Sequence, residues 1–452
     1  FNISSQSNPY FLFPELYNFR YNIFSSEWPV ANRVIELYLQ KKSENGGWER
    51  QINGISNNEK AVLLLEKRTF KELLVDMELR NLQNNIVGQE ASRLFARAEI
   101  NMGVEAFRDS LYSLLKRNTF LNIKFENMLD TLGEISRTDI RSLLGEWEKT
   151  TPLPFYSLGE PTLTKITNKG GEEFFVLKML ISNNSDYDGI IHMDIRKDGW
   201  WYQPLEDPRA KTKIEMPAHT SKEFVSVWED QIRNVEINTM VSGNLPNIIS
   251  QDINNVKQER NKIVKDSIYI LPESSFDLPG EIIVDNEDST LFILSAPPIV
   301  GLLPKWLDEV EETPFKYSGI SWWRPPLQWT ATTNDRYYGK YIRSAFVIKS
   351  GDGSQTATWK VPVPEVGQYD LYYHVFKDDE LRWNNNLQGE YHFKVKYGSE
   401  VEDAYVNLRK ANEGWEQLGS YYFDSDTIRV VLTDECKLRS VTADAVKIVK
   451  RY

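Results

Sequence analysis

Aromatic and amide side chains lie side by side in two irregular stretches of the sequence. Three tryptophans fall in the proline-rich segment SWWRPPLQW, and a fourth tryptophan is followed by three asparagines. An indole ring packs well on the apolar face of a sugar, and neighbouring amides can bond to its hydroxyls. Both stretches are therefore candidates for a sugar-binding site. The candidate ligand-binding residues are Trp322, Trp323, Trp329, Trp383, Asn384 and Asn386.

The same tryptophans also allow a structural interpretation. Trp322 and Trp323 lie in an insertion rich in tryptophan and proline, and such a segment can seal the boundary between two domains. Both hypotheses stay open for this pair. Trp359 and Trp415 lie in regular strand-like stretches, where we expect core packing.

Oxygen-bearing side chains cluster where one strand-like run ends, in the sequence VDNED. Asp285, Asn286 and Asp288 offer the oxygen ligands that calcium prefers. The alternative is a turn in which these side chains bond to the backbone, and we favour that interpretation. No other metal site is predicted, because no two of the four histidines share the spacing of a zinc motif.

The sequence carries no recognisable catalytic motif. It has neither a G-x-S-x-G nucleophile elbow nor a G-x-x-x-x-G-K-[ST] phosphate loop, and its single cysteine, Cys436, has no evident histidine partner. Acidic pairs are too numerous to single out one for acid–base catalysis. We therefore expect a non-catalytic chain without a cofactor.

Charge and hydropathy narrow the range of partners. The 452 residues have a formal net charge of −12 and no cluster of lysine and arginine, so neither nucleic acid nor an anionic membrane surface is an expected partner. The apolar run at residues 291–303 is interrupted by two prolines and is too short to span a bilayer. The opening residues FNISSQSNPYF do not resemble a signal peptide, so we expect a mature form or a piece of a longer chain.

The elements that must position these residues are organised around residues 353–375. Ala357, Trp359 and Val361 alternate with polar residues, and after Gly367 a second alternating run follows. This pattern predicts two antiparallel strands joined by a turn that proline and glycine mark. Because a sheet with one apolar face must bury it against a second layer, the stretch indicates a β-sandwich.

The whole chain is predicted to be a multidomain α+β protein, with an N-terminal α-helical bundle or solenoid followed by two antiparallel β-sandwich domains. Amphipathic periodicity marks helices over residues 1–150, with a capping box at Thr69 and Glu72. Short β-branched runs over residues 151–265 predict a small β-sandwich, ending in a helical connector at 245–265. Residues 266–452 form the second predicted sandwich, with a Trp/Pro-rich insertion at 289–329.

The last third of the chain carries a series of short motifs, which are Val284–Asp288, Tyr337–Gly339, Ala357–Trp359, Val363–Pro364, Gly367–Tyr369, Gly414–Trp415, Leu418–Gly419 and Ala443–Val446. By the order and spacing of these motifs, the segment from about residue 275 to 452 resembles the golvesin C-terminal-like domain, also described as the carbohydrate-binding-like domain of some xanthan lyases. The resemblance implies a β-sandwich that binds glycan or another cell-surface polymer. The insertion at 289–329 departs from the family pattern.

Residues Gly103–Tyr156 contain the segments GVEAFRDSLYSLLKR and LLGEWEKTTPLPFY. With these segments, the first part of the chain, to about residue 250, resembles the non-catalytic C-terminal region of aminopeptidase-N-like gluzincins. That family's zinc motif H-E-x-x-H is not found in this sequence. The resemblance therefore implies that any catalytic domain lies outside these residues.

Three functions follow as hypotheses. The first is a non-catalytic binding protein that recognises a carbohydrate or cell-surface polymer through its C-terminal sandwich. The second is the auxiliary region of a larger zinc aminopeptidase-like protein, with an upstream peptidase domain as its partner. The third is a structural module for protein–protein interaction. The two resemblances imply an extracytoplasmic location, periplasmic or at the cell surface.

Overall fold

The protein folds into two compact units. The computed structural model describes residues 21–40, 47–168, 170–197, 203–253, 255–260, 264–272, 280–295, 315–321, 323–377 and 389–451. The first unit comprises Phe1–Asn45 and Asn57–Ser275, and the second comprises Gly46–Ser56 and Phe276–Tyr452. Within the described ranges, every helix falls short of the length or apolar character needed to cross a membrane.

Helices make up the N-terminal part of the first unit, as predicted. The α-helices are α1 (Ala31–Leu39), α2 (Gly47–Asn53), α3 (Asn57–Lys67), α4 (Phe70–Val75), α5 (Gln83–Met102), α6 (Val104–Arg117) and α7 (Phe125–Ser136), of which α2 belongs to the second unit. A 3₁₀ helix at Arg141–Glu148 follows. Strands β1 (Asn22–Phe24) and β2 (Asn122–Lys124) pair in parallel.

Local sequence signals account for these helices. The predicted capping box is present, because Thr69 and Glu72 each bond through the side chain to the other's backbone N–H at the start of α4. The apolar stripes face a common core in which Phe70, Phe95 and Trp147 are almost completely buried. Trp147 packs edge-on against Phe70 with ring centroids 4.8 Å apart.

A β-sandwich completes the first unit. Its strands are β3 (Tyr156–Leu158), β4 (Thr162–Thr167), β5 (Glu173–Asn183), β6 (Gly189–Lys197), β7 (Gln203–Pro204), β8 (Lys211–Met216), β9 (Thr220–Trp228), β10 (Ile232–Asn238), β11 (Ile248–Asp252), β12 (Val256–Arg260) and β13 (Ser267–Pro272). One sheet has the order β11-β10-β6-β7 with β8 paired to β6, and the other has the order β12-β4-β5-β9-β13 with β3 paired to β5. A short 3₁₀ helix lies at Pro208–Ala210.

The helical connector predicted at residues 245–265 is wrong. The described part of this stretch holds two strands, β11 and β12, each of which lies at an edge of one of the two sheets. Ile248, Ile249 and Ile253 are buried there, so β-branched residues that match a sheet outweigh the polar residues between them. Strand β13 pairs with β9, so the first unit continues past the boundary predicted near residue 266.

The second unit is built mainly from twelve described strands. They are β14 (Glu281–Asp285), β15 (Phe292–Leu294), β16 (Thr330–Thr333), β17 (Ser344–Lys349), β18 (Thr356–Pro362), β19 (Gly367–Val375), β20 (Glu390–Tyr397), β21 (Glu400–Asn407), β22 (Gly414–Phe423), β23 (Thr427–Thr433), β24 (Ser440–Ala443) and β25 (Ala445–Lys450). They form a four-stranded sheet β14-β25-β19-β22, a five-stranded sheet β15-β18-β23-β20-β21 and a three-stranded sheet β16-β17-β24.

The two strands predicted within residues 353–375 both exist, as β18 and β19, but they do not pair with each other. Strand β18 pairs with β23 and β15 in the five-stranded sheet, whereas β19 pairs with β22 and β25 in the four-stranded sheet. Their alternating apolar residues, among them Trp359, Leu371 and Tyr373, are fully buried and share one core. The stretch is thus a connection between two layers, and the predicted α+β fold with β-sandwich domains is confirmed.

A segment from near the N-terminus, residues 46–56, belongs to the second unit. Thr333 Oγ1 donates a hydrogen bond to the carbonyl oxygen of Gly54 over 2.6 Å, and Ile55 is fully buried. Gly54 has a φ of 80°, and a Cβ atom at this position would lie 2.5 Å from the backbone nitrogen of Ser318. Glycine is therefore required here both by the backbone conformation and by the close approach of a neighbouring chain segment.

Candidate functional site

Polar and aromatic side chains alternate on the outer face of β19 and β22. The buried residues of both strands point to the sandwich core, so the intervening residues point outward. The two strands are antiparallel, and their register brings the outward residues together in pairs. The pairs are His374 with Trp415, Tyr372 with Gln417, Asp370 with Ser420, and Gln368 with Tyr422.

Trp415 was predicted to pack in the core, and the structure places it half-buried on this outer face. A β-bulge explains the difference. Leu371 is opposite Gly419 while Tyr372 is opposite Gln417, so β22 has one additional residue at this point. The additional residue reverses which side chains face inward along the rest of the strand. The prediction for Trp359 is confirmed, since its side chain is fully buried.

A buried carboxylate anchors one end of this face. Asp444 is completely buried, its Oδ2 atom lies 2.8 Å from Nδ1 of His374, and both of its oxygens accept from the Tyr338 backbone N–H at 3.2 Å. Burial raises the pKa of Asp444, and the neighbouring His374 opposes this shift. The pair holds the imidazole ring in place at the edge of the outer face.

The ring of His374 packs with two other rings, those of Trp415 and Tyr338. The ring centroid of Trp415 lies 5.2 Å from that of His374 and 5.0 Å from that of Tyr338. Lys447 Nζ lies 4.9 Å from the Trp415 centroid and 3.0 Å from the carboxylate of Glu281. This half-buried cluster is held rigidly by ring packing and a cation–π contact.

The other end of the face is more accessible. Tyr422 exposes 60% of its surface, and its neighbour Gln368 is also exposed. Asp370 accepts hydrogen bonds from Gln417 Nε2 at 3.0 Å, from Ser420 Oγ and from Arg451 Nε at 2.8 Å. Burial alone would raise the pKa of Asp370, but these hydrogen bonds lower it below its usual value.

Of the sequence-predicted ligand residues, Trp323 and Trp329 fall within the described part of the chain, and neither belongs to β19 or β22. Trp323 is 67% exposed, and the Arg439 guanidinium lies 5.7 Å from its ring centroid. Trp329 is half-buried against the core of the second unit. These two candidates stay predictions. The other four, Trp322, Trp383, Asn384 and Asn386, lie outside the described residues.

The side chains proposed for calcium mostly hold the backbone. Asp285 Oδ1 accepts from the Asn286 N–H at 2.7 Å, and the buried Asn286 amide lies 2.7 Å from Ser344 Oγ. Asp288 accepts from the backbone N–H and the hydroxyl of Thr290 at 3.1 and 2.7 Å, which forms the expected turn. Over the described ranges, no group of three or more His, Cys, Asp and Glu side chains is arranged to hold a metal.

The environment of Asp285 predicts that the stability of the second unit depends on pH. Burial, with the negative charges of Asp444 and Glu287, raises its pKa well above the usual value, although the hydrogen bond from the Asn286 N–H and the charge of Lys316 oppose the shift. Asp285 then favours folding most below about pH 4, and this contribution falls as pH rises towards the folded-state pKa. We expect Asp285→Asn to stabilise the second unit more at about pH 7 than at about pH 4, because the amide carries no charge.

Thermal unfolding of wild type and Asp285→Asn at both pH values measures this difference. Asp352→Asn is the matched control, since Asp352 is exposed and hydrogen bonds lower its pKa. An equal stabilisation by Asp285→Asn at both pH values would contradict the prediction.

Comparison with known proteins supports one part of the sequence interpretation. Residues 325–450 match the family model of the golvesin C-terminal domain. A search among curated proteins found no match. The family match does not include residues 1–250, so their resemblance to aminopeptidase-N-like proteins stays a prediction.

Solved structures show only distant similarity. A β-glucuronidase of Bacteroides uniformis shares 11% identity with a TM-score of 0.20, and the match covers 78% of this chain but only 39% of the glucuronidase. A structure of Sulfolobus turreted icosahedral virus shares 9% identity with a TM-score of 0.14, covering 67% of this chain and 96% of the viral one. TM-scores this low carry no argument about fold or function. By the family match, residues 325–450 of this chain are similar in sequence to the golvesin C-terminal domain.

Proposed function

We propose that the second unit is a non-catalytic binding module that recognises carbohydrate on the outer face of β19 and β22, and that the chain acts outside the cytoplasm. The observation that carries this proposal is the alternation of rings with amide and hydroxyl groups along paired strands. The pair of Gln368 and Tyr422 places an exposed ring beside an exposed amide. This combination fits a sugar, whose faces are apolar and whose edge carries hydroxyls.

The remaining groups on the face would orient such a ligand. Gln417 and Ser420 both bond to Asp370, which fixes their side chains before any ligand arrives. A binding surface with side chains already held in place loses less entropy on binding. The golvesin-like match over residues 325–450 includes both strands and supports a shared binding role.

Replacing Tyr422 by alanine tests the proposal. We expect wild-type protein to bind at least one neutral polysaccharide in a panel, and Tyr422→Ala to lose about tenfold in affinity, equivalent to about 1.4 kcal/mol. Isothermal titration calorimetry measures both affinities. The ring is exposed at 60%, so its removal should leave the fold intact.

Tyr405→Ala is the matched control, because Tyr405 is 59% exposed and lies on the five-stranded sheet of the same unit. Its affinity for the neutral polysaccharide should equal that of wild type. If no polysaccharide in the panel binds, or if both variants lose affinity equally, the proposed face is wrong.

A further inference from the structure

Three cations lie in one row on the outer face of the five-stranded sheet. Lys360 on β18 is directly opposite Arg429 on β23, and Arg429 is directly opposite Lys396 on β20. All three alternate with buried residues, so their side chains point away from the core. We call Lys360, Arg429 and Lys396 the basic row.

The basic row is not neutralised by its surroundings. In the part of the chain that the structure describes, none of the three cations forms an ion pair. Arg429 and Lys396 are exposed, and Lys360 is half-buried. Like charges directly opposite each other on neighbouring strands are destabilising, so this arrangement costs stability in the isolated protein.

An acidic side chain on the same face, that of Asp403, already contacts a histidine. Asp403 is opposite Lys394, in the next row of the same face, but its carboxylate lies 2.7 Å from Nε2 of His392. The chain as a whole has a formal net charge of −12, so a row of unpaired cations is a local exception. A local excess of positive charge within an acidic protein favours a local anionic ligand.

We propose that the basic row binds an acidic polysaccharide, with one carboxylate or sulfate group of the chain at each cation. Neighbouring strands lie about 4.8 Å apart, so the three cations span about 10 Å across the sheet. A linear polyanion lying across the strands meets them in succession. The central Arg429 provides a planar guanidinium that can bind a carboxylate through two hydrogen bonds.

The hydroxyl beside the basic row suits a sugar. Thr358 is half-buried in the adjacent row of the sheet and points outward with Lys360 on the same strand. A polynucleotide would require a larger basic footprint, and anionic membranes are usually bound by four to eight cations. The row therefore favours an acidic glycan over both.

The experiment compares two triple variants of the full chain. Lys360→Gln, Arg429→Gln and Lys396→Gln are combined in the first, and Lys340→Gln, Lys349→Gln and Lys410→Gln, all exposed lysines of the same unit, are combined in the second. Binding to polygalacturonate is measured at several salt concentrations, with neutral dextran, single-stranded DNA and vesicles containing anionic lipid as comparison ligands.

We expect the wild-type chain to bind polygalacturonate in preference to the other three ligands. The first triple variant should lose at least about tenfold in affinity and show a weaker salt dependence, since fewer counterions are exchanged on binding. The second should match wild type. Removing like charges should not lower the melting temperature, so a loss of binding cannot be attributed to unfolding.

Three results would overturn the inference: no polygalacturonate binding at low salt, equal losses in both triple variants, or tighter binding to DNA or vesicles. The inference does not depend on the proposed carbohydrate binding at the outer face of β19 and β22. Tyr422→Ala should leave polygalacturonate binding unchanged, and the first triple variant should keep its affinity for a neutral polysaccharide, so the two proposals fail separately.

Discussion

Trp359→Ala should lower the free energy of unfolding of the second unit by about 3–5 kcal/mol, the usual cost of removing a buried tryptophan. The indole is fully buried, and its Nε1 atom donates to the carbonyl oxygen of Asp444 over 3.2 Å. Its ring centroid lies 5.4 Å from that of Phe292 and 6.2 Å from that of Tyr373. The substitution therefore leaves a cavity between the two sheets and removes their central contact.

Denaturant unfolding followed by far-ultraviolet circular dichroism measures this loss as a lower midpoint for the second unit. Trp323→Ala serves as the control, because Trp323 is 67% exposed and its removal should cost no more than about 0.5 kcal/mol. Equal midpoints for the two variants would show that Trp359 is not the centre of the core.

Asp444→Ala is expected to have a comparable effect, about 3–5 kcal/mol, for an electrostatic reason. The substitution removes the carboxylate that accepts from the Tyr338 N–H, and it separates His374 from its partner. These hydrogen bonds are then lost in a half-buried setting.

The sandwich contains its own control for this prediction. His392 and Asp403 form a second His–Asp pair with a separation of 2.7 Å, but the Asp403 side chain is 56% exposed. An exposed pair contributes at most about 1 kcal/mol, so Asp403→Ala should shift the unfolding midpoint much less than Asp444→Ala. Similar shifts for both variants would mean that burial does not set the strength of the Asp444 pair.

Local patterns in the sequence predicted the elements well. The capping box at Thr69 and Glu72 and the alternation around Trp359 depend on residues within a few positions of each other, and both appear in the structure. Local patterns do not predict which strands pair with each other, because strand pairing depends on segments that are distant in the sequence. Strands β18 and β19 are neighbours in sequence, yet each pairs with a strand that follows more than 60 residues later.

The candidate sites were also only partly predictable from local patterns in the sequence. Trp415 was placed in the core because it lies in a strand-like stretch, and only the pairing with β19 reveals the bulge that turns it outward. The basic row could not be predicted from the sequence, for a related reason. Lys360, Lys396 and Arg429 are spread over about 70 residues and form no cluster until three strands bring them side by side. The sequence therefore shows no cluster of lysine and arginine at these three positions.

Residues 46–56 belong to the second unit although they lie near the N-terminus. This constrains the order in which the protein folds during its synthesis on the ribosome. This segment is made long before Thr333, which donates to the carbonyl oxygen of Gly54. At about 5–20 residues per second, the delay before residue 333 is made is roughly 14–60 s. For that time the segment holding the buried Ile55 has no site to occupy, so the second unit cannot reach its final form as an isolated C-terminal domain.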